Sequence, residues 1–200
     1  FISLSVFSIL CISIFGCRDN GPSCILAPDC RGDSAVRFAV IGDWGWWGQS
    51  DQMKVAAALE KVGAECPYDF IVSTGDNFYD AGVDSVNDVL WKMSFEYVYS
   101  TAHVQCPWYV VLGNHDYRGA PSAEIAYSNN SPRWRMPSKY YKEQFVTGNN
   151  EVIDLFFMDK PSFPDPTCLY ILLPFLHYTE INKDFSYFVL KIEAAPVISN

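Results

Sequence analysis

Histidine is scarce in this chain of 200 residues: His103, His115 and His177 are all it has, so a metal centre here must rest largely on oxygen donors. Lys and Arg are also few, 14 against 23 Asp and Glu, for a formal charge of −9. Recognition through a nucleic-acid phosphate backbone needs cations to displace counterions, so that partner class is excluded. A small phosphate ester held by metal ions is not, because local cation charge overrides a negative global field. Long apolar runs are missing too. The opening segment Phe1 to Phe15 holds only Phe, Ile, Leu, Val, Ser and Cys, short of the about 20 residues a spanning helix needs, and no stable membrane anchor is expected. There is no internal repeat, low-complexity tract or zinc-like cysteine pairing.

What remains is enough for one domain, since half of the residues are apolar and a core can be buried. Residues 1–17 read as the remnant of a signal peptide, with a buried N-terminal strand as the alternative. Residues 18–35, rich in Gly, Pro, Asp and Cys, read as a linker. The domain is expected over 36–159, and 160–200 is an atypical tail with no clear helical or alternating period. Seven cysteines, an odd count, fit secretion only loosely. Asn129-Asn130-Ser131 is a glycosylation sequon in a polar stretch that reads as an exposed loop.

Three segments share one grammar. Arg37-Phe38-Ala39-Val40-Ile41 ends at Gly42-Asp43, Phe70-Ile71-Val72-Ser73-Thr74 at Gly75-Asp76, and Trp108-Tyr109-Val110-Val111-Leu112 at Gly113-Asn114. Each reads as a buried strand stopped by a glycine turn. Between the first two, Ser50 is a candidate cap for a helix with apolar positions Val55, Ala56, Leu59 and Val62. Between the second and third, Val86, Val89, Leu90, Met93 and Val98 predict another. The order strand, helix, strand, helix, strand implies an α/β fold with βαβ units and a locally parallel sheet. Loops after its strands converge at one edge, where ligands usually bind. Val152 to Met158, ending at Asp159, reads as a further core strand.

Singly, an Asp after a Gly is most often a turn residue. Together, the three strand ends bring Asp43, Asp76, Tyr79 and Asn114 to one edge, as oxygen donors suited to hard cations. The two oxygens of Asp76 can bridge two metal ions about 3.5–4 Å apart, a pair that clamps a phosphoester and activates water. A phenolate at Tyr79 favours a highly charged ion, ferric iron being the natural candidate. His115 is placed to donate a hydrogen bond or proton to substrate. Asp116 either orients that imidazole or only shapes the turn.

Gly42-Asp43-Trp44-Gly45, Gly75-Asp76-Asn77-Phe78-Tyr79 and Gly113-Asn114-His115-Asp116 closely resemble the first three metal-binding blocks of the purple acid phosphatases, of the short tartrate-resistant type, within the calcineurin-like metallophosphoesterase superfamily. Similarity continues through Ser122 to Ser128, Arg133-Trp134 and Pro137 to Tyr141, and covers roughly Val36 to Asp159. The resemblance implies a β-sandwich with flanking helices and a secreted or vacuolar hydrolase of small phosphate monoesters. Its centre would hold Fe(III) beside a second iron, zinc or manganese. It assigns Asp43 and Tyr79 to the ferric ion, Asp76 to the bridge, Asn114 to the divalent ion and His115 to the phosphate.

The family's later histidine blocks, one isolated and one Gly-His-x-His, have no counterpart here; His103 and His177 match neither and read as structural or surface residues. The tail 160–200 is accordingly expected to derive from an aberrant splice, an unspliced intron or a frame error, with the C-terminal half of the sandwich missing. Activity of these residues alone is expected to be low or absent. A catalytically inactive truncated product or metal-binding pseudoenzyme is the alternative. A related diesterase would carry a histidine in the first block and no metal-binding tyrosine, unlike Asp43-Trp44-Gly45 and Tyr79.

Overall fold

The three glycine-terminated runs become adjacent parallel strands. In a computed structural model, residues 36–148 and 152–159 are described in full, and two further strands, Leu10–Ser13 and Phe188–Lys191, through their backbone. The side chain of Cys11, together with Cys17, Cys24, Cys30, Cys168 and His177, lies outside the described residues. So do the expected linker and most of the leader and tail. In chain order the strands are β1 (Leu10–Ser13), β2 (Arg37–Ile41), β3 (Phe70–Ser73), β4 (Trp108–Val110), β5 (Trp134–Arg135), β6 (Tyr140–Val146), β7 (Val152–Met158) and β8 (Phe188–Lys191). The first sheet runs β1-β2-β3-β4-β5, with β2 to β5 mutually parallel and β1 antiparallel on the β2 edge. Leu10–Ser13 thus adds a ladder to an edge that β2 would otherwise expose.

Side-chain alternation sends the two faces of this sheet into different cores. Ala39, Ile41, Ile71 and Val110 face the helices. Phe38, Phe70, Val72 and Val111 face a second sheet and meet Ile153, Leu155 and Phe157 of β7. That sheet, β6-β7-β8, is antiparallel throughout. The sandwich therefore has a second layer within the described residues, and β8 lies inside the segment read as an atypical tail. The Tyr141 hydroxyl ties the layers by accepting from Val110 N at 2.8 Å and donating to Val110 O at 2.9 Å.

Two helical expectations are modified. Helix α1 (Ser50–Glu65) buries Val55, Ala56 and Leu59 as expected, but Ser50 is its first residue and not its cap; Gln49 holds the cap position without a side-chain hydrogen bond. Its free end is instead organised by Gln52, whose Oε1 accepts from Trp46 N and Gly48 N at 3.0 and 2.8 Å. The second helix is reduced to a π-helical turn, Trp91–Glu96. In and beside it Leu90, Trp91, Phe95, Val98 and Tyr99 are buried while Val89 and Met93 stay exposed. Aromatic rings bury more area than Val or Met and so decide which face turns inward. A short helix α2 (Pro121–Tyr127) follows β4, with Pro in its first turn.

Candidate metal and phosphate site

Each expected ligand follows one of the adjacent strands: Asp43 after β2, Asp76 after β3, and Asn114 with His115 after β4. Since β3 lies between β2 and β4, Asp76 is the residue positioned to be shared by its neighbours. Asp43 and Asp76 both adopt left-handed backbone, φ 57° and 49°, a region that short polar side chains tolerate at a cost of about 1–3 kcal/mol each. The turns are locked together, Asp43 N donating to Gly75 O at 3.1 Å and Tyr79 N to Gly45 O at 3.0 Å. A side chain at Gly113 would overlap the backbone N and Oδ1 of Asp76, so only glycine lets the β3 and β4 turns approach this closely.

The oxygens converge. Tyr79 donates its hydroxyl to Asp43 Oδ1 at 2.6 Å and lies 3.0 Å from Asp76 Oδ2; Asp76 Oδ1 accepts from His115 N at 2.9 Å. Burial, then the two carboxylates, push the Tyr79 phenol far above its ordinary range. Burial likewise raises Asp43, against the pull of the Tyr79 hydroxyl. Two carboxyl groups and a phenol thus lie at close quarters, and a highly charged cation would relieve this arrangement. The donor chemistry fits a hard ion held by Asp43, Asp76 and Tyr79. Asn114 is exposed beside them. His115 Nδ1 lies 2.5 Å from the carbonyl oxygen of Asp80; a carbonyl only accepts, so Nδ1 carries the proton and Nε2 is left for another partner.

Behind this surface runs a buried network that the sequence alone does not announce. Trp44 Nε1 donates to Ser73 Oγ at 2.8 Å, and Ser73 donates to Asn77 Oδ1 at 2.5 Å. Asn77 Nδ2 reaches Val111 O at 2.9 Å and Glu124 Oε2 at 3.1 Å. Asp116 accepts from the backbone N–H groups of Gly113, Asn77 and Phe78 at 2.7, 2.9 and 3.1 Å. Of the two roles open to Asp116, it therefore takes that of shaping the turns; the Asp80 carbonyl orients His115. Burial pushes Asp116 up to about 7 despite these donors, and burial beside Asp116 raises the Glu124 carboxyl well above its ordinary range. Trp44 continues this layer into an aromatic core, 5.6 Å from both Phe78 and Trp108.

The remaining sequence assignments are local. His103 is structural as expected: its ring and backbone N both bond Glu60 of α1, at 2.7 and 2.9 Å. Asn129 is exposed in the turn after α2, with its Nδ2 3.2 Å from Ala126 O. Cys66 is disulfide-bonded and Cys106 is a free thiol. Among the described residues no helix is long and apolar enough to cross a membrane.

Comparison with known proteins shows the family. The sequence profile of the calcineurin-like phosphoesterases matches residues 36–191, past Asp159, where the motif resemblance stops. Purple acid phosphatase 3 of Arabidopsis thaliana is 42% identical over 134 residues, covering 66% of this chain and 35% of that protein. Purple acid phosphatase 17 of the same plant is 37% identical, over 80% of this chain and 46% of its own length. Human tartrate-resistant acid phosphatase type 5 is 38% identical, over 62% of this chain and 41% of its length. The chain thus spans less than half of each of these relatives. Among solved structures, one described as GAP50, the anchor in the inner membrane complex of Plasmodium, superposes with a TM-score of 0.55 at 29% identity, over 66% of this chain and 44% of that one.

Proposed function

Since the chain belongs to the calcineurin-like phosphoesterase family, we propose that it carries one half of a dinuclear centre that hydrolyses phosphate monoesters, of the purple acid phosphatase type. The observation that carries this reading is the Tyr79 hydroxyl lying within 2.6 Å of Asp43 and 3.0 Å of Asp76. Asp43, Asp76 and Tyr79 would hold Fe(III), with Asp76 and Asn114 serving a second iron, zinc or manganese ion. When bound, such a pair supplies Lewis acidity toward water and the phosphoryl oxygens. His115, its Nδ1–H committed to the Asp80 carbonyl, would as the imidazolium donate Nε2–H to a phosphoryl oxygen. Small phosphate esters are the substrates, and a secretory or vacuolar route is the location. Glycosylation at Asn129 belongs to the same reading.

The divalent ion would have Asp76 and Asn114 alone from this set, too few to hold it tightly, so turnover requires further donors from outside this set. The test is a chimaera joining this chain to the histidine-bearing half of a relative, loaded with Fe(III) and Zn(II) and given a chromogenic phosphate monoester. The chimaera should turn over where the 200-residue chain does not, and Asp76→Asn should abolish turnover. Equal rates from chain, chimaera and Asp76→Asn would refute the reading.

A further inference from the structure

Next to the phenol lies an aromatic residue that none of the site assignments uses. The indole of Trp46 stacks on the Tyr79 ring, centroids 4.3 Å apart and planes 11° from parallel. Its position is built: Trp46 N and Gly48 N both donate to Gln52 Oε1, Gln52 Nε2 bonds Ser94 O at 2.7 Å, and Trp47 N bonds Ser94 Oγ at 2.9 Å. Helix α1 and the π-helical turn thus clamp the loop that presents the ring. The indole Nε1 is buried without a hydrogen-bond partner among the described residues. A buried unpaired donor is destabilising, so the ring is not held there for its N–H. What the site gains from it is the flat face against Tyr79.

We propose that Trp46 is a positioning residue, which seats the Tyr79 ring so that its oxygen meets Asp43 and Asp76 together. The proposal rests on the reading of Tyr79 as a metal ligand but acts through ring packing alone. Trp46→Phe retains an aromatic face and removes the unpaired N–H; Trp46→Leu removes the face.

Two measurements on the full chain separate this inference from the reading beneath it. In metal-free protein, nitration of Tyr79 mapped by mass spectrometry should be slow in the parent chain and in Trp46→Phe. In Trp46→Leu it should rise about threefold to tenfold, the population change expected from losing one aromatic pair, with the far-ultraviolet spectrum unchanged. After loading with Fe(III) alone, the visible band of Trp46→Leu should shift or broaden, while Trp46→Phe matches the parent. Equal nitration in all three proteins would overturn the positioning role whether or not iron binds. A parent chain that takes up no iron would count against the metal reading and leave the nitration result to decide the role of Trp46.

Discussion

At the scale of single residues, the site depends on donors and acceptors being matched across three turns. Asp116 is the clearest case, since Gly113, Asn77 and Phe78 all aim N–H groups at it. Asp116→Asn substitutes an amide that turns a donor toward those donors, and should cost about 2–3 kcal/mol in urea unfolding. A change below 0.5 kcal/mol, the range of an ordinary surface substitution, would deny Asp116 this role. Asp43, Asp76, Tyr79, Asn114 and His115 were legible because each stands at or near the end of an apolar run closed by glycine. Asn77 and Glu124 were not, because their bond spans 47 residues and nothing local marks either as part of a network. Asp116 was ambiguous for the same reason, its partners Asn77 and Phe78 lying in another turn.

At the scale of elements, periodicity succeeded where burial was one-sided. β2 was read to the residue, α1 to within one residue at its start, and β7 whole. It failed in the π-helical turn, where Val89 and Met93 fit a helical stripe yet lie on the outside, 53% and 40% exposed. Phe95→Ala should therefore cost about 3–5 kcal/mol, whereas Met93→Ala should stay within about 0.5 kcal/mol. Chemical denaturation of the two variants checks this, and similar losses would contradict the assigned face. β6 went unread because its inward positions include Glu143 beside Tyr141 and Phe145, and its other positions are mostly polar. That half-buried Glu143 has its carboxyl raised by burial, a sign that this strand is not a purely apolar one.

At the scale of the whole molecule, the buried acids set a pH dependence. Asp159 closes β7 with one oxygen accepting from Tyr117 and the other unpartnered among the described residues. Burial pushes it up to about 6, against the pull of Tyr117 and Lys139. A raised carboxyl contributes stability that is complete below its unfolded value and is lost as pH rises through its folded value. The metal-free chain should thus lose about 2–3 kcal/mol between about pH 4 and 7 relative to Asp159→Asn, a difference that thermal melts at each pH would detect. A constant gap between the two proteins would refute it. The most direct measurement on the site itself is a titration of the purified chain with Fe(III), followed by iron content and visible absorption. Stoichiometric iron with a charge-transfer band, and iron without that band in Tyr79→Phe, are the expected results. A colourless chain that takes up no stoichiometric iron would mean that the convergence of Asp43, Asp76 and Tyr79 is not a ferric site.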